Sequence, residues 1–175
     1  IVELPKLNEI TIEGVKKGKK KEIISDNSLT PGTKITNNLL NTTRNNIKKK
    51  FQKDGFFNTE AVIHTTPHLD STGVEVSQDM RIAVDRGKRV KVKNINFEGN
   101  EHFSNAKLRR SMKKTKKKNF LRVFKRSKYT EEGFKEDKES ILKKYKASGY
   151  RDARIISDTL TVIDNKNIAL NLKVE

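Results

Sequence analysis

Two stretches of this chain alternate apolar and polar residues and close on the same Glu-Gly pair. Asn8-Glu-Ile-Thr-Ile-Glu-Gly14 and Lys93-Asn-Ile-Asn-Phe-Glu-Gly99 stand 85 positions apart, and Ile10/Ile12 and Ile95/Phe97 alternate with the period of a half-buried strand. A second correspondence runs at 94 positions. It matches Lys34-Ile-Thr36, Ile47, Phe51 and Gly55-Phe56 with Lys128-Tyr-Thr130, Ile141, Tyr145 and Gly149-Tyr150. The difference between the two offsets is an insertion of nine residues in the second copy.

The second block has helical spacing. Thr36 and Thr130 stand where an N-cap belongs, and Leu40, Thr43, Ile47 and Phe51 in one copy and Phe134, Ile141 and Tyr145 in the other form one stripe. Gly55 and Gly149 stop the helices as left-handed residues, and the aromatic after each is expected to fold back over the helix end. A shorter helix precedes each long one, marked by Ile23 and Ile24 in the first copy and by Ser104, Leu108 and Met112 in the second. Two strands follow each Gly-aromatic pair: about 59–66 and 79–85, then about 153–162 and 168–174. Asp164-Asn-Lys-Asn167 reads as a hairpin turn, whereas Pro67–Gln78 reads as a longer loop. Each copy is therefore β-α-α-β-β, with Arg86-Gly87-Lys88 as a short hinge.

Composition narrows what such modules do. The chain carries a net charge of +17 with 33% hydrophobic and 35% charged residues, so each copy builds a modest core and an acidic partner is indicated. The charge is uneven: residues 1–87 hold 14 Lys+Arg and 11 Asp+Glu, residues 88–175 hold 25 and 11, and 11 basic residues without an acidic one lie between Arg109 and Lys128. With no cysteine, disulfides and thiolate metal sites are excluded. Apolar runs are two or three residues long, far short of the ~20 that span a bilayer as a helix. Ile1–Leu7 reads as a strand end and linker rather than a signal peptide, as in a fragment of a longer protein.

The strand ending in Glu-Gly, the helix ending in Lys-Lys-Tyr-Lys-Ala-Ser-Gly149-Tyr150 and the hairpin ending in Val-Asp-Arg-Gly87 together resemble POTRA domains, the polypeptide-transport-associated repeats. Ile95-Asn-Phe-Glu-Gly-Asn100 with His102-Phe103, then Tyr129-Thr-Glu-Glu, is similar to the outer-membrane assembly proteins of the BamA/Omp85 type, in their second and third repeats. The resemblance implies an α+β fold of two tandem POTRA modules, each a three-stranded mixed sheet packed against two helices. It divides the chain into 1–5, the tail of a preceding module, then 6–87 and 88–175. It further implies a place on the periplasmic side of the bacterial outer membrane, beside neighbouring POTRA domains and a C-terminal β-barrel. The partners it implies are unfolded outer-membrane protein clients and accessory assembly lipoproteins. In that family the second strand of each module is a sheet edge, open to an added strand. The edges map to Ala61, Val62, Ile63 and His64, and to Arg154, Ile155, Ile156 and Ser157.

The basic insertion offers a second candidate surface. Lys116, Lys117, Lys118, Phe120, Leu121, Arg122, Phe124, Lys125 and Arg126 mix charge with apolar residues, as a partner or anionic-membrane contact would; the plainer reading is a solvated loop whose apolar residues fold back. Tandem basic modules also suit nucleic acid, but neither interhelical segment has a GxxG loop and no strand carries an RNP-like aromatic pair, so no nucleic acid is expected. His64 and His68 are four apart, with strand context and Pro67 removing a helical metal face, and His102 has no motif-placed partner. A non-enzymatic binding scaffold without cofactor is the expectation.

Overall fold

The computed structural model describes residues 4–116 and 128–175. Its elements are β1 (Lys6–Glu13), α1 (Lys17–Asp26), α2 (Asn37–Lys53), β2 (Glu60–Leu69) and β3 (Glu75–Asp85), then β4 (Lys91–Glu98), α3 (Asn105–Ser111), α4 (Glu131–Ala147), β5 (Ile155–Asp164) and β6 (Asn167–Val174). The chain forms two compact units, one of the residues up to Gln52 with Asn58–Gly87, the other of Lys53–Phe57 with Lys88–Glu175.

Each unit has one mixed sheet with the last strand in the middle, ordered β1-β3-β2 and β4-β6-β5. The first strand pairs parallel to the central one, from Lys6↔Ser77 to Glu13↔Ala83 and from Lys91↔Asn167 to Glu98↔Lys173. The second pairs antiparallel to it, from Glu60↔Asp85 to Leu69↔Glu75 and from Ile155↔Val174 to Asp164↔Asn167. The central strands carry the most buried apolar residues, Met80, Ile82 and Val84 in one and Ile168, Leu170, Leu172 and Val174 in the other. The helices supply the rest of each core: Ile23, Ile47 and Phe51 in the first unit, and Leu108, Phe134, Ile141 and Tyr145 in the second.

Local chemistry sets the helix ends. The Leu39 N–H donates to Thr36 Oγ1 at 3.0 Å, the Gly133 N–H to Thr130 Oγ1 at 3.1 Å, and the Lys107 N–H to Ser104 Oγ at 3.3 Å. At the far end of α4 the Tyr150 N–H reaches Tyr145 O and the Gly149 N–H reaches Lys146 O, both at 3.1 Å, the paired bonds that close a helix on a left-handed glycine. The Tyr150 ring then lies 6.0 Å from that of Tyr145 and folds back over the helix end.

One expectation is corrected. Pro67–Gln78 is not a long loop: β2 runs through Pro67 and His68 to Leu69, β3 resumes at Glu75, and only Asp70–Val74 turn. Pro67 signals a break in sequence because it has no N–H to give, yet among the described residues β2 pairs on one side only, and a residue whose N–H would face outward loses nothing to proline. The Asp70 carboxylate accepts from the Thr72 and Val74 N–H groups at 2.8 and 2.9 Å and closes the turn.

The sequence also left unread a buried charge. Asp137 sits on the apolar stripe of α4 between Phe134 and Ile141 and is 1% exposed. Its carboxylate accepts from the backbone N–H groups of Lys113 at 2.6 Å, Lys114 at 2.9 Å and Thr115, and so binds the chain leaving α3 to α4. The counterpart in α2, Thr43, is equally buried and its Oγ1 has no hydrogen-bond partner among the described residues. Asp137→Ala would strand three donors, that of Thr115 buried, and is expected to cost about 2–4 kcal/mol, whereas Thr43→Val removes an unmet hydroxyl and should be neutral or stabilising. Urea denaturation of the two variants measures both effects.

Charge ties α1 to α2. Lys50 Nζ lies 2.8 Å from Glu22 Oε2 and 2.6 Å from Asp26 Oδ2, and Lys19 Nζ is 2.8 Å from the same Glu22 oxygen. Hydrogen bonds from Lys19 and Lys50 hold the Glu22 carboxyl down from the usual 4.5 to about 2. A depressed carboxylate stabilises the fold above its unfolded value and loses that contribution as pH falls through the folded one. Glu22→Gln is therefore expected to lower the denaturation midpoint at pH 7, with the gap to the parent chain closing between about 4.5 and about 2. Denaturant titrations across that range give the comparison.

Candidate functional site

A three-stranded sheet has two edges, and in this protein they are not equivalent. The outer side of β1 is partly occupied: the Leu7 N–H donates to Thr33 O at 2.8 Å, Leu7 O accepts from the Gly32 N–H at 2.8 Å, and the Ile35 N–H donates to Pro5 O at 2.9 Å. Lys6 and Lys34 form a bridge there, and Lys91 and Lys128 form its counterpart beside β4. Among the described residues no strand or bridge lies on the outer side of β2 or β5.

Which backbone groups face that open side follows from two close approaches. A Cβ on Gly14, at φ +80°, would lie 1.9 Å from Val84 O, so the Val84 carbonyl points toward β1 and away from β2. Val84 stands opposite Ala61, which makes this a pair without ladder hydrogen bonds, and Ala61 turns its own N–H and C=O outward. Register is unbroken from Glu60 to His68, so Ile63 and Thr65 also face outward and Pro67 offers only a carbonyl. The missing N–H of Pro67 falls on the open side, which is why the strand tolerates it.

The same reading holds for β5, with one interruption. A Cβ on Gly99 would lie 2.2 Å from Val174 O, so Val174 faces β4 and its partner Ile155 faces outward. Arg154 and Glu175 exchange backbone bonds of 2.8 and 2.9 Å, as the alternation requires, and their side chains pair at 2.7 Å. The register then shifts between Ile155 and Ser157, a bulge at Ile156. Beyond it Ser157 faces β6, while Asp158, Leu160 and Val162 face outward.

The sequence-derived residues are thus distributed as follows. Ala61 and Ile63 present backbone on the open side, and Val62 and His64 pair with β3. Arg154 and Ser157 are turned inward, Ile155 outward, and Ile156 is the bulge; the longest regular open stretch of β5 begins at Asp158. Val62, Ile156 and Val162 leave about half of their surface exposed (48%, 47% and 55%), so apolar surface accompanies both open edges. A groove of about 670 Å³ runs beside the β5 edge, between Asp158–Leu160 and the start of α4 at Glu131, Phe134 and Lys138. Lys138 Nζ crosses it to Asp158 Oδ2.

Other candidates separate from this site. His68 lies in β2 with His64, not in a loop, and their spacing along a strand is about 13 Å, too far for one metal. His68 Nε2 is 2.7 Å from Asp79 Oδ2, and hydrogen bonds from His68 and Asn8 hold the Asp79 carboxyl below its ordinary value. Among the described residues no three His, Asp or Glu groups gather to hold a metal ion. Lys117, Lys118, Phe120, Leu121, Arg122, Phe124, Lys125 and Arg126 lie outside the described residues; Lys116 is half-buried and its ammonium donates to Met112 O.

The chain is thus two small modules in sequence, each with a mixed sheet, two helices and, among the described residues, one strand edge left open. A family model described as "POTRA: Surface antigen variable number repeat" matches residues 5–83 and 90–175, and the chain belongs to this POTRA family. It is 32% identical over 88 residues to the outer membrane protein assembly factor BamA of Neisseria meningitidis serogroup B (strain ATCC BAA-335 / MC58), a stretch covering 50% of this chain and 11% of that protein. Among solved structures it is similar to POTRA3-5 of Haemophilus influenzae BamA (18% identity, TM-score 0.48, covering 99% of this chain and 61% of that one). It is also similar to the N-terminal domain of Omp85 from Thermosynechococcus elongatus (18% identity, TM-score 0.45, covering 96% and 63%).

The facing pattern makes a direct prediction for native-state hydrogen exchange. The amides of Ala61, Ile63 and Thr65 and of Asp158, Leu160 and Val162 should exchange rapidly, alternating with protected amides at Val62, His64, Thr159 and Thr161. Uniform protection along either strand would contradict the assignment.

Proposed function

We propose that this chain is part of the periplasmic arm of an outer-membrane β-barrel assembly factor, and that β2 and β5 take up extended segments of unfolded outer-membrane proteins or of accessory subunits as an added strand. The observation that carries it is the pair of open edges, where outward N–H and C=O groups alternate at Ala61, Ile63 and Thr65 and at Asp158, Leu160 and Val162. Membership of the POTRA family and the likeness to the Neisseria assembly factor support the setting. Backbone pairing asks little of a client's side chains, which suits clients of varied sequence. The work is non-covalent and needs no catalytic group; neighbouring POTRA domains and a C-terminal barrel complete the proposed whole.

Ile63 gives the cleanest test. Ile63→Pro removes one outward donor without breaking a bond to β3, whereas Ile63→Ala keeps the donor and loses only side-chain packing. With an extended peptide taken from a barrel strand, Ile63→Pro should weaken binding at β2 about fivefold or more, the worth of one hydrogen bond, and Ile63→Ala much less. NMR titration reads both. Equal losses in the two variants would count against strand addition.

A further inference from the structure

A hydrogen-bonded row of uncharged side chains crosses all three strands of the second sheet and stops at its open edge. Asn96 of β4 stands opposite Asn171 of β6, and Asn171 stands opposite Thr159 of β5. The Asn96 amide donates to Asn171 Oδ1 at 2.8 Å, and the Asn171 amide donates in turn to Thr161 Oγ1 at 3.2 Å and Thr159 Oγ1 at 3.4 Å. Side chains alternate along β6, and Leu170 and Leu172 are buried in the core with residues of α3 and α4, so the row lies on the face turned away from the helices.

A threonine hydroxyl that accepts from an amide still has its own proton to give. Thr159 and Thr161 are both exposed, and among the described residues neither proton has an acceptor. The row therefore ends in two hydroxyls with a donor to spare, on the strand whose outer side is open. The helix-side face of β5 has different chemistry: Leu160 packs against the core, and a residue added opposite it would enter the groove beside Phe134. In the first unit the outer face is lined with charged groups instead, Arg81 with Glu13 at 2.9 Å and His68 with Asp79 at 2.7 Å, and His64 of β2 stands opposite Arg81. The neutral row belongs to the second unit.

We propose that Thr159 and Thr161 make β5 selective: of the extended strands that add to it, it favours those with apolar residues on the side of α4 and uncharged hydroxyl or amide side chains opposite the two threonines. The inference rests on strand addition at β5 and adds to it a side-chain preference. Residues directly opposite on neighbouring strands share a face, with Cβ atoms about 5 Å apart, close enough for a hydroxyl-to-hydroxyl bond. Asn171 and Asn96 are positioning residues that hold the threonine oxygens from behind. A charged residue set opposite finds no opposite charge in the row, and an apolar one covers the hydroxyls without pairing them.

The test is a two-by-two comparison by NMR titration. The chain is the parent or Thr159→Val/Thr161→Val, which keeps side-chain shape and removes both hydroxyls. The peptide alternates Leu and Thr between charged flanks, or carries Val at every Thr with the same flanks. The product of the two matched affinities, hydroxyl with hydroxyl and methyl with methyl, should exceed that of the two mismatched ones about three- to tenfold. Thr159→Ser/Thr161→Ser, which restores the hydroxyls, should behave as the parent chain. Affinities that combine without coupling, while the amides of Asp158, Leu160 and Val162 still shift, overturn the selectivity and leave strand addition standing. If neither peptide moves those amides, strand addition at β5 fails and the inference fails with it. Should the valine variant not fold, Thr159→Ala/Thr161→Ala takes its place and decides by the same criterion.

Discussion

Everything in this protein turns on how a three-stranded sheet disposes of its backbone hydrogen bonds. Every N–H and C=O needs a partner, from the chain or from water, and a sheet of three strands leaves two outer rows to be met. Because the last strand of each module enters the middle, the first and second strands become the edges. The interhelical segment then closes on the first edge through Lys34 or Lys128. What remains is the second strand, paired on one side to the most buried strand of the module and, among the described residues, unpaired on the other.

That asymmetry needs a firm base, and the two modules build it differently. In one, Lys50 draws Glu22 and Asp26 together to join α1 to α2 at the surface. In the other, Asp137 reaches into the core and gathers three backbone donors from the chain leaving α3. The same helical position holds Thr43 in the first copy, whose buried hydroxyl has no hydrogen-bond partner among the described residues. The second copy therefore carries a polar anchor at the root of the basic insertion, which ties that root to α4.

Much of this was legible in the residues. Alternation at Ile10/Ile12 and Ile95/Phe97, the caps at Thr36, Ser104 and Thr130, and the glycines at 55 and 149 are local signals, and each forms the structure its chemistry favours. The misses are tertiary. Pro67 looks like a strand breaker unless one knows that, among the described residues, β2 has no neighbouring strand on its outer side. Asp137 breaks an apolar stripe, a signal in itself, but its three partners come from a segment more than twenty positions away. The bulge at Ile156 depends on register with β6 and has no mark in the sequence, so the open stretch of β5 lies further along than Arg154–Ser157 suggested.

Strand addition is most directly tested by the geometry of the bound peptide. Intermolecular backbone NOEs between a protonated barrel-strand peptide and the deuterated chain should run in order along Ala61, Ile63 and Thr65, with a second series along Asp158, Leu160 and Val162. NOEs confined to side chains of the helices, with none to these amides, would contradict the account.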